Sequence, residues 1–166
     1  MRRLLLFTLI FAVLLSTAGC AHSSIVDPVS FYYPHKTFTY AAPDDVIAPE
    51  IREGSQIANI QQLLNAYLEG PKDPTLVFPF PKGTRLVDTA KIDDVRIITL
   101  SDDLAVLSGV NLTLACCCLA KTVMAYSGED SVQIQLESAL LDGESSIVIS
   151  ADTVILFDTI TPQSAD

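Results

Sequence analysis

Residues 108–137, SGVNLTLACCCLAKTVMAYSGEDSVQIQLE, restrict the folds open to this chain more than any other stretch. Up to about Tyr126 they are almost wholly apolar over a helical length. A tight polar turn follows, and Val132, Ile134 and Leu136 then alternate with Gln133, Gln135 and Glu137. The change of period, from about 3.6 to 2, marks a buried helix feeding a half-buried strand. Within the helix stands Cys116-Cys117-Cys118, a run that invites a chemical reading.

The flanking chain supplies further elements. Residues 29–33 and 37–40 are rich in aromatic and β-branched side chains around Pro34-His35-Lys36, and read as a strand or hairpin opening the domain. Residues 41–49 contain two prolines and Asp44-Asp45 and read as loop. Gly54-Ser55 then introduces a helix with Ser55 as N-cap. Ile57, Ile60, Leu64, Tyr67 and Leu68 recur at spacings of three and four, one stripe facing a core. Gly70-Pro71 stops that helix, since glycine accepts a left-handed terminal position and proline forbids continuation. Past an irregular proline-rich connection, residues 84–91 and 95–100 read as strands across a turn at Asp93-Asp94. Asp142-Gly143 is a turn signal, residues 147–149 and 153–157 a final pair of strands, and residues 161–166 a polar frayed end. The order β(β)–α–β–β–α–β–β(β) predicts a single small α+β domain, a mixed or antiparallel sheet with two helices packed on one face.

With 166 residues, the chain has room for one domain with a real core. Arg2 and Arg3 precede an apolar run of twelve residues, 4–15, broken only by Thr8. A spanning helix needs about 20 apolar residues, so this run has the length of a signal peptide. Ser16-Thr17-Ala18-Gly19-Cys20 resembles the lipobox of bacterial lipoproteins, with Thr17 where an aliphatic residue is usual. The alternative is an ordinary secretory signal with an incidental cysteine. The lipobox implies a diacylglyceryl group and an N-acyl chain such as palmitate on Cys20, enough together for stable anchoring. Without residues 1–19, eight Lys and Arg face twenty Asp and Glu, a charge of −12 against −10 for the whole chain. So acidic a body repels phosphate backbones and anionic headgroups, which argues against nucleic acid and against attachment through a basic patch. The expected organisation is a signal peptide over 1–19, a lipid-anchored tether over 20–28, a domain over 29–158 and a tail over 159–166.

Several stretches, taken in order, resemble the GerMN domain of sporulation, germination and other bacterial envelope lipoproteins. Leu63-Leu64 through Leu68-Glu69-Gly70-Pro71 is similar to that family's leucine-rich helix ending in Gly-Pro. Pro81-Lys82-Gly83-Thr84-Arg85-Leu86 resembles its Pro-x-Gly-Thr-x-Leu entry to the central hairpin. Lys121-Thr122-Val123 and Ser131-Val132-Gln133-Ile134 resemble its Asn-Thr-Leu helix end and following Val-x-Ile strand, with Lys121 and Val123 departing from the usual residues. The resemblance covers roughly residues 29–137. It implies a small α+β interaction domain, akin to ring-building motifs, that binds rather than catalyses and carries no catalytic residues to transfer.

Successive helical residues diverge by about 100°, so the three cysteines cannot all face one ion, and His22 and His35 lie far upstream. Small hydrophobic packing in a tight helix is the better account of them. A triad built on His35 would draw its base from a turn. Asp44-Asp45, Asp93-Asp94, Asp102-Asp103 and Glu129-Asp130 fall in predicted turns, where local backbone bonding suits them better than glycan hydrolysis, and no EF-hand spacing is present. The aromatic cluster Phe31, Tyr32, Tyr33, Phe38 and Tyr40 reads chiefly as packing, with Tyr33 and Tyr40 as the pair expected at an exposed interface.

The expected function is therefore non-enzymatic, without metal or cofactor. The sequence predicts a lipoprotein anchored through Cys20 to the outer face of the cell membrane, binding a protein partner or a second copy through sheet edges and a helical face. Sporulation, germination or envelope assembly is the setting the resemblance implies. The alternative is an envelope lipoprotein that binds a small ligand or a glycan such as peptidoglycan.

Overall fold

The computed structural model describes residues 27–37 and 46–152. The first strand, β1 (Pro28–Pro34), follows its sequence alternation, burying Val29, Phe31 and Tyr33 and leaving Ser30 and Tyr32 half-buried. It pairs antiparallel with β2 (Ile47–Glu53), from Pro28 opposite Glu53 to Pro34 opposite Ile47. The loop expected over 41–49 thus gives way to strand from Ile47. Pro49 is tolerated because Tyr32, its partner, turns its backbone away from β2. The Tyr32 N–H donates to Thr122 Oγ1 at 2.9 Å, and the Tyr32 carbonyl accepts from the Tyr67 hydroxyl at 3.2 Å. Pro49 therefore occupies a non-hydrogen-bonded pair on an edge strand, where its missing N–H removes no ladder bond. Of the strand expected over 37–40, Thr37 lies in a bend and the remainder falls outside the described residues.

A short 3₁₀ turn (Gly54–Gln56) separates β2 from α1 (Ile60–Leu68), so the helix begins later than Ser55 predicts. Asn59 is the N-cap: its Oδ1 accepts from the Gln62 N–H at 2.9 Å, while Gln62 Oε1 accepts from the Ala58 N–H at 2.7 Å. This reciprocal arrangement, close to a capping box, satisfies two donors at once and fixes the start. Leu63, Leu64 and Tyr67 form the buried face, whereas Ile57, Ile60 and Leu68 pack only partly buried against the core. Gly70, left-handed at φ +86°, closes the helix as its position before Pro71 predicts.

Strands β3 (Leu86–Ile92) and β4 (Val95–Leu100) form a hairpin across Asp93, itself at φ +53°. A 3₁₀ turn (Asp102–Val106) leads into α2 (Gly109–Ser127), which ends at left-handed Gly128, whose N–H donates to the Met124 carbonyl at 2.9 Å. This crossover lays β5 (Ser131–Leu136) parallel beside β4, with Ile98 opposite Ile134 and Leu100 opposite Leu136. The chain reverses at Asp142-Gly143, both at positive φ (51° and 91°), and β6 (Ser146–Ser150) pairs antiparallel with β5. The last strand expected, over 153–157, lies outside the described residues.

The resulting sheet has the order β3-β4-β5-β6. Its buried side chains, among them Ile98, Leu100, Val132, Ile134 and Ile149, gather on one face. Both helices pack there, α1 against β3 and α2 against β5 and β6, and β1 covers another side of α2. The chain is the α+β domain that the sequence predicts, with the β1–β2 ribbon as an additional layer.

Candidate interaction surfaces

The cysteine run lies where α2 is enclosed by β1, α1 and the sheet. Three successive side chains span most of a helical turn, yet Cys116, Cys117 and Cys118 are all buried because neighbours cover α2 on several sides. Burial pushes the Cys116 thiol up to about 12 and raises the other two as well, so all three are neutral thiols far from the nucleophilic state. By length and composition α2 could cross a bilayer, but its packing at the centre of the domain makes it a core helix.

Tyr33 is fully buried, which corrects the expectation of an exposed Tyr33–Tyr40 pair; Tyr40 and Cys20 lie outside the described residues. The Tyr33 ring stacks on Tyr67 with centroids 4.7 Å apart, and its hydroxyl donates to the Tyr67 carbonyl at 2.8 Å. Burial pushes the Tyr33 phenol well up, against the pull of Arg52, so the hydroxyl remains a donor. Inward alternation in β1 decides the matter: Tyr33 shares the face of Val29 and Phe31.

On β2 the same inward face carries charge. Glu50 and Arg52 form an ion pair with both side chains about 10 % exposed. The Arg52 guanidinium lies 4.3 Å from the Phe31 ring centroid and donates to the Ala66 and Gly70 carbonyls at 3.0 and 2.7 Å, capping the end of α1. Glu50 accepts the Lys72 and Asp73 N–H groups at 2.8 and 2.9 Å. Burial pulls its carboxyl up, but these N–H groups and Arg52 together hold it below the usual range. The clasp is structural, and an inward ion pair on an edge strand also discourages pairing with a further strand.

The other candidate carboxylates are likewise occupied. Asp102 Oδ1 accepts from the Ser138 and Ala139 N–H groups at 2.9 and 3.0 Å, and Asp103 accepts from the Ser101 hydroxyl at 2.7 Å. Glu129 is no solvated turn residue: Arg96 engages it with both nitrogens, at 3.0 and 2.6 Å, and Lys91 lies 3.4 Å away. The Arg96 hydrogen bonds hold its carboxyl low despite burial. His35 sits at the ribbon's end, its backbone N–H donating to the Val46 carbonyl.

Open clefts lie beside these groups among the described residues. One, of about 580 Å³ between β2 and α1, is lined by Gln56, Gln62 and Asn65 with Ile51 and Ala66. The other, of about 640 Å³, lies where Asp27 and Pro28 pass Ala125 and Tyr126. Exposed aliphatics concentrate elsewhere: Val106, Val110 and Leu140 are 77 %, 59 % and 54 % exposed. Sequence patterning missed both this set and the Glu50–Arg52 clasp. Its only trace of the clasp was the alternation of residues 49–52, which puts Pro49 and Ile51 outward and Glu50 and Arg52 inward.

No curated protein matches the chain. The fold is similar to the tandem GerMN domains of the sporulation protein GerM from Bacillus subtilis, with a TM-score of 0.53 and 17 % identity, covering 78 % of this chain and 46 % of that one. The first GerMN domain of the same protein gives 0.50 and 12 %, covering 68 % of this chain and 84 % of that one. A presumed lipoprotein from Clostridium perfringens is 21 % identical, with a TM-score of 0.49 over 81 % of this chain and 94 % of that one. Residues 30–142, more than half of the sequence, match the Germane family, described as sporulation and spore germination. The chain belongs to that family, and its α+β unit is a GerMN domain.

Proposed function

We propose that the chain is a non-enzymatic lipoprotein, held at the outer face of the cell membrane by acyl chains on Cys20, whose GerMN domain binds another protein. Sporulation, germination or envelope assembly is its setting. The observation that carries this reading is the family match over residues 30–142 directly behind the lipobox-like residues 16–20. The engagement of Glu50, Asp102 and Glu129 in holding backbone and arginines supports a binding role over a catalytic one. Crosslinking in intact membranes followed by purification tests it. A protein recovered in fixed stoichiometry with the anchored chain is the expected result. Hydrolase or transferase activity lost on one carboxylate change would overturn it.

The cleft between β2 and α1 favours a second reading. Its amides Gln56, Gln62 and Asn65, beside the charged Glu53, Glu69 and Lys72, suit a hydroxyl-rich ligand such as a glycan. Retention of the purified domain on peptidoglycan, with no protein partner recovered, would select that reading.

A further inference from the structure

Three segments meet at the end of the domain where α2 begins. The Asp102–Val106 turn runs into α2 through Leu107 and Ser108. Asp102 holds the backbone of Ser138 and Ala139, and Asp142 Oδ2 accepts from the Gly109 N–H at 3.2 Å. Val106, Val110 and Leu140, one from each segment, are thereby fixed at one end with more than half of each side chain exposed. Below them Leu104, Leu112 and Leu141 are buried, so the backbones presenting these three are anchored in the core.

The same end is strongly acidic. Asp102, Asp103, Glu137, Asp142 and Glu144 lie on the same three segments as the aliphatic set, and residues 101–115 and 137–145 include no lysine or arginine. Arg85 reaches them, 3.7 Å from Asp103 and 3.6 Å from Glu137, and Lys82 adjoins Gly83, which faces the Asp103 carboxylate. Apolar side chains inside a carboxylate rim call for a partner with apolar side chains inside a basic rim. A second copy of this acidic chain would set like charges against each other, and an anionic bilayer would be repelled.

Position points the same way. Pro28 enters the domain beside Ala125 and Tyr126, at the C-terminal end of α2. At about 1.5 Å per residue, the first turn of α2 lies roughly 22 Å further along the helix. The aliphatic set therefore lies at the opposite end of the helix from the point where the chain from Cys20 enters. Exposed aliphatics elsewhere stand apart from one another along the chain: Ile51 is on β2 beside the inward ion pair, Ile92 ends β3, and Val148 on β6 pairs with Gln133, whose amide bonds Gln135.

We infer that this tether-distal end, centred on Val106, Val110 and Leu140, docks a partner protein through a surface of apolar side chains ringed by lysine and arginine. The inference rests on the protein-binding reading above and adds to it the surface and the partner's chemistry. The test uses the full-length anchored chain with a photo-crosslinking residue at 110 or 140, and at 148 on the outer sheet face as a control. Crosslinks from 110 and 140, but not 148, should map to a basic, apolar segment of one protein. The yield from 110 should fall about tenfold with Val106→Ser/Leu140→Ser, and the yield from either position should fall as far with Glu144→Lys and should drop in high salt. These side chains are exposed, so the variants should keep wild-type thermal unfolding. A partner captured through 148, with yield indifferent to those variants, would overturn this inference and leave the protein-binding reading standing. Crosslinks from 110 to lipid, glycan or another copy of the chain would also overturn it. A chain that captures no protein from any position would overturn both.

Discussion

Thr122 shows how much one hydroxyl can hold. Its Oγ1 accepts the Tyr32 N–H across a sequence separation of 90 and donates to the Cys118 carbonyl one turn back. It fastens β1 to α2 by satisfying a backbone donor that faces away from β2. Thr122→Val removes the acceptor and leaves that N–H unpaired, so we expect a loss of about 2 kcal/mol in urea unfolding. Arg52→Ala should cost about 3 kcal/mol, because Glu50 loses its partner while the Ala66 and Gly70 carbonyls lose a donor. Arg85→Ala, at an exposed pair, should change stability by less than about 0.5 kcal/mol. Glu129 adds a pH dependence. Arg96 lowers its folded-state pKa below the ordinary 4.5, so protons favour the unfolded chain. That stability is fully present above the unfolded value and is lost as pH falls through the lowered folded value. The urea midpoint should therefore decline more steeply below about pH 5 in wild type than in Glu129→Gln.

Among the elements, α2 was the most legible and β2 the least. The 3.6-residue period, the apolar run and the glycine stop of α2 all lie in local sequence, and the helix ends at Gly128 as they require. An added Cβ at Gly128 meets nothing within 4 Å, so Gly128→Ala should cost about 1 kcal/mol through its φ of +68° alone. β2 was hidden because Pro49 and three charges occupy a strand whose ladder partner lies across residues 38–45. The start of α1 was misplaced for a related reason: Ser55 satisfies the local rule for a cap, but Asn59 and Gln62 satisfy it reciprocally. The cysteine run belongs to this scale too. Its thiols should resist a polar thiol reagent in the folded domain and react together on unfolding, and replacing all three with Ala or Val should leave partner capture unchanged.

For the molecule as a whole, Pro28 enters the domain beside the C-terminal end of α2, and the docking surface we propose lies at the other end of that helix. Cys20 precedes Asp27 by seven residues, at most about 25 Å of extended chain. Cys20→Ser should move the chain from the membrane fraction to the soluble fraction, with loss of acyl mass at its N-terminus.

By itself, the sequence determined the signal-like leader, the acidic charge, the central helix, the alternating strands and the glycine stops. All of these are local, because periodicity and backbone preference act within a few residues. The tertiary structure alone decided that Tyr33 is interior, that Glu50 and Arg52 face the core, and that Val106, Val110 and Leu140 share one end. Each depends on segments far apart in sequence whose meeting is set by packing and long-range hydrogen bonds, which no local pattern encodes.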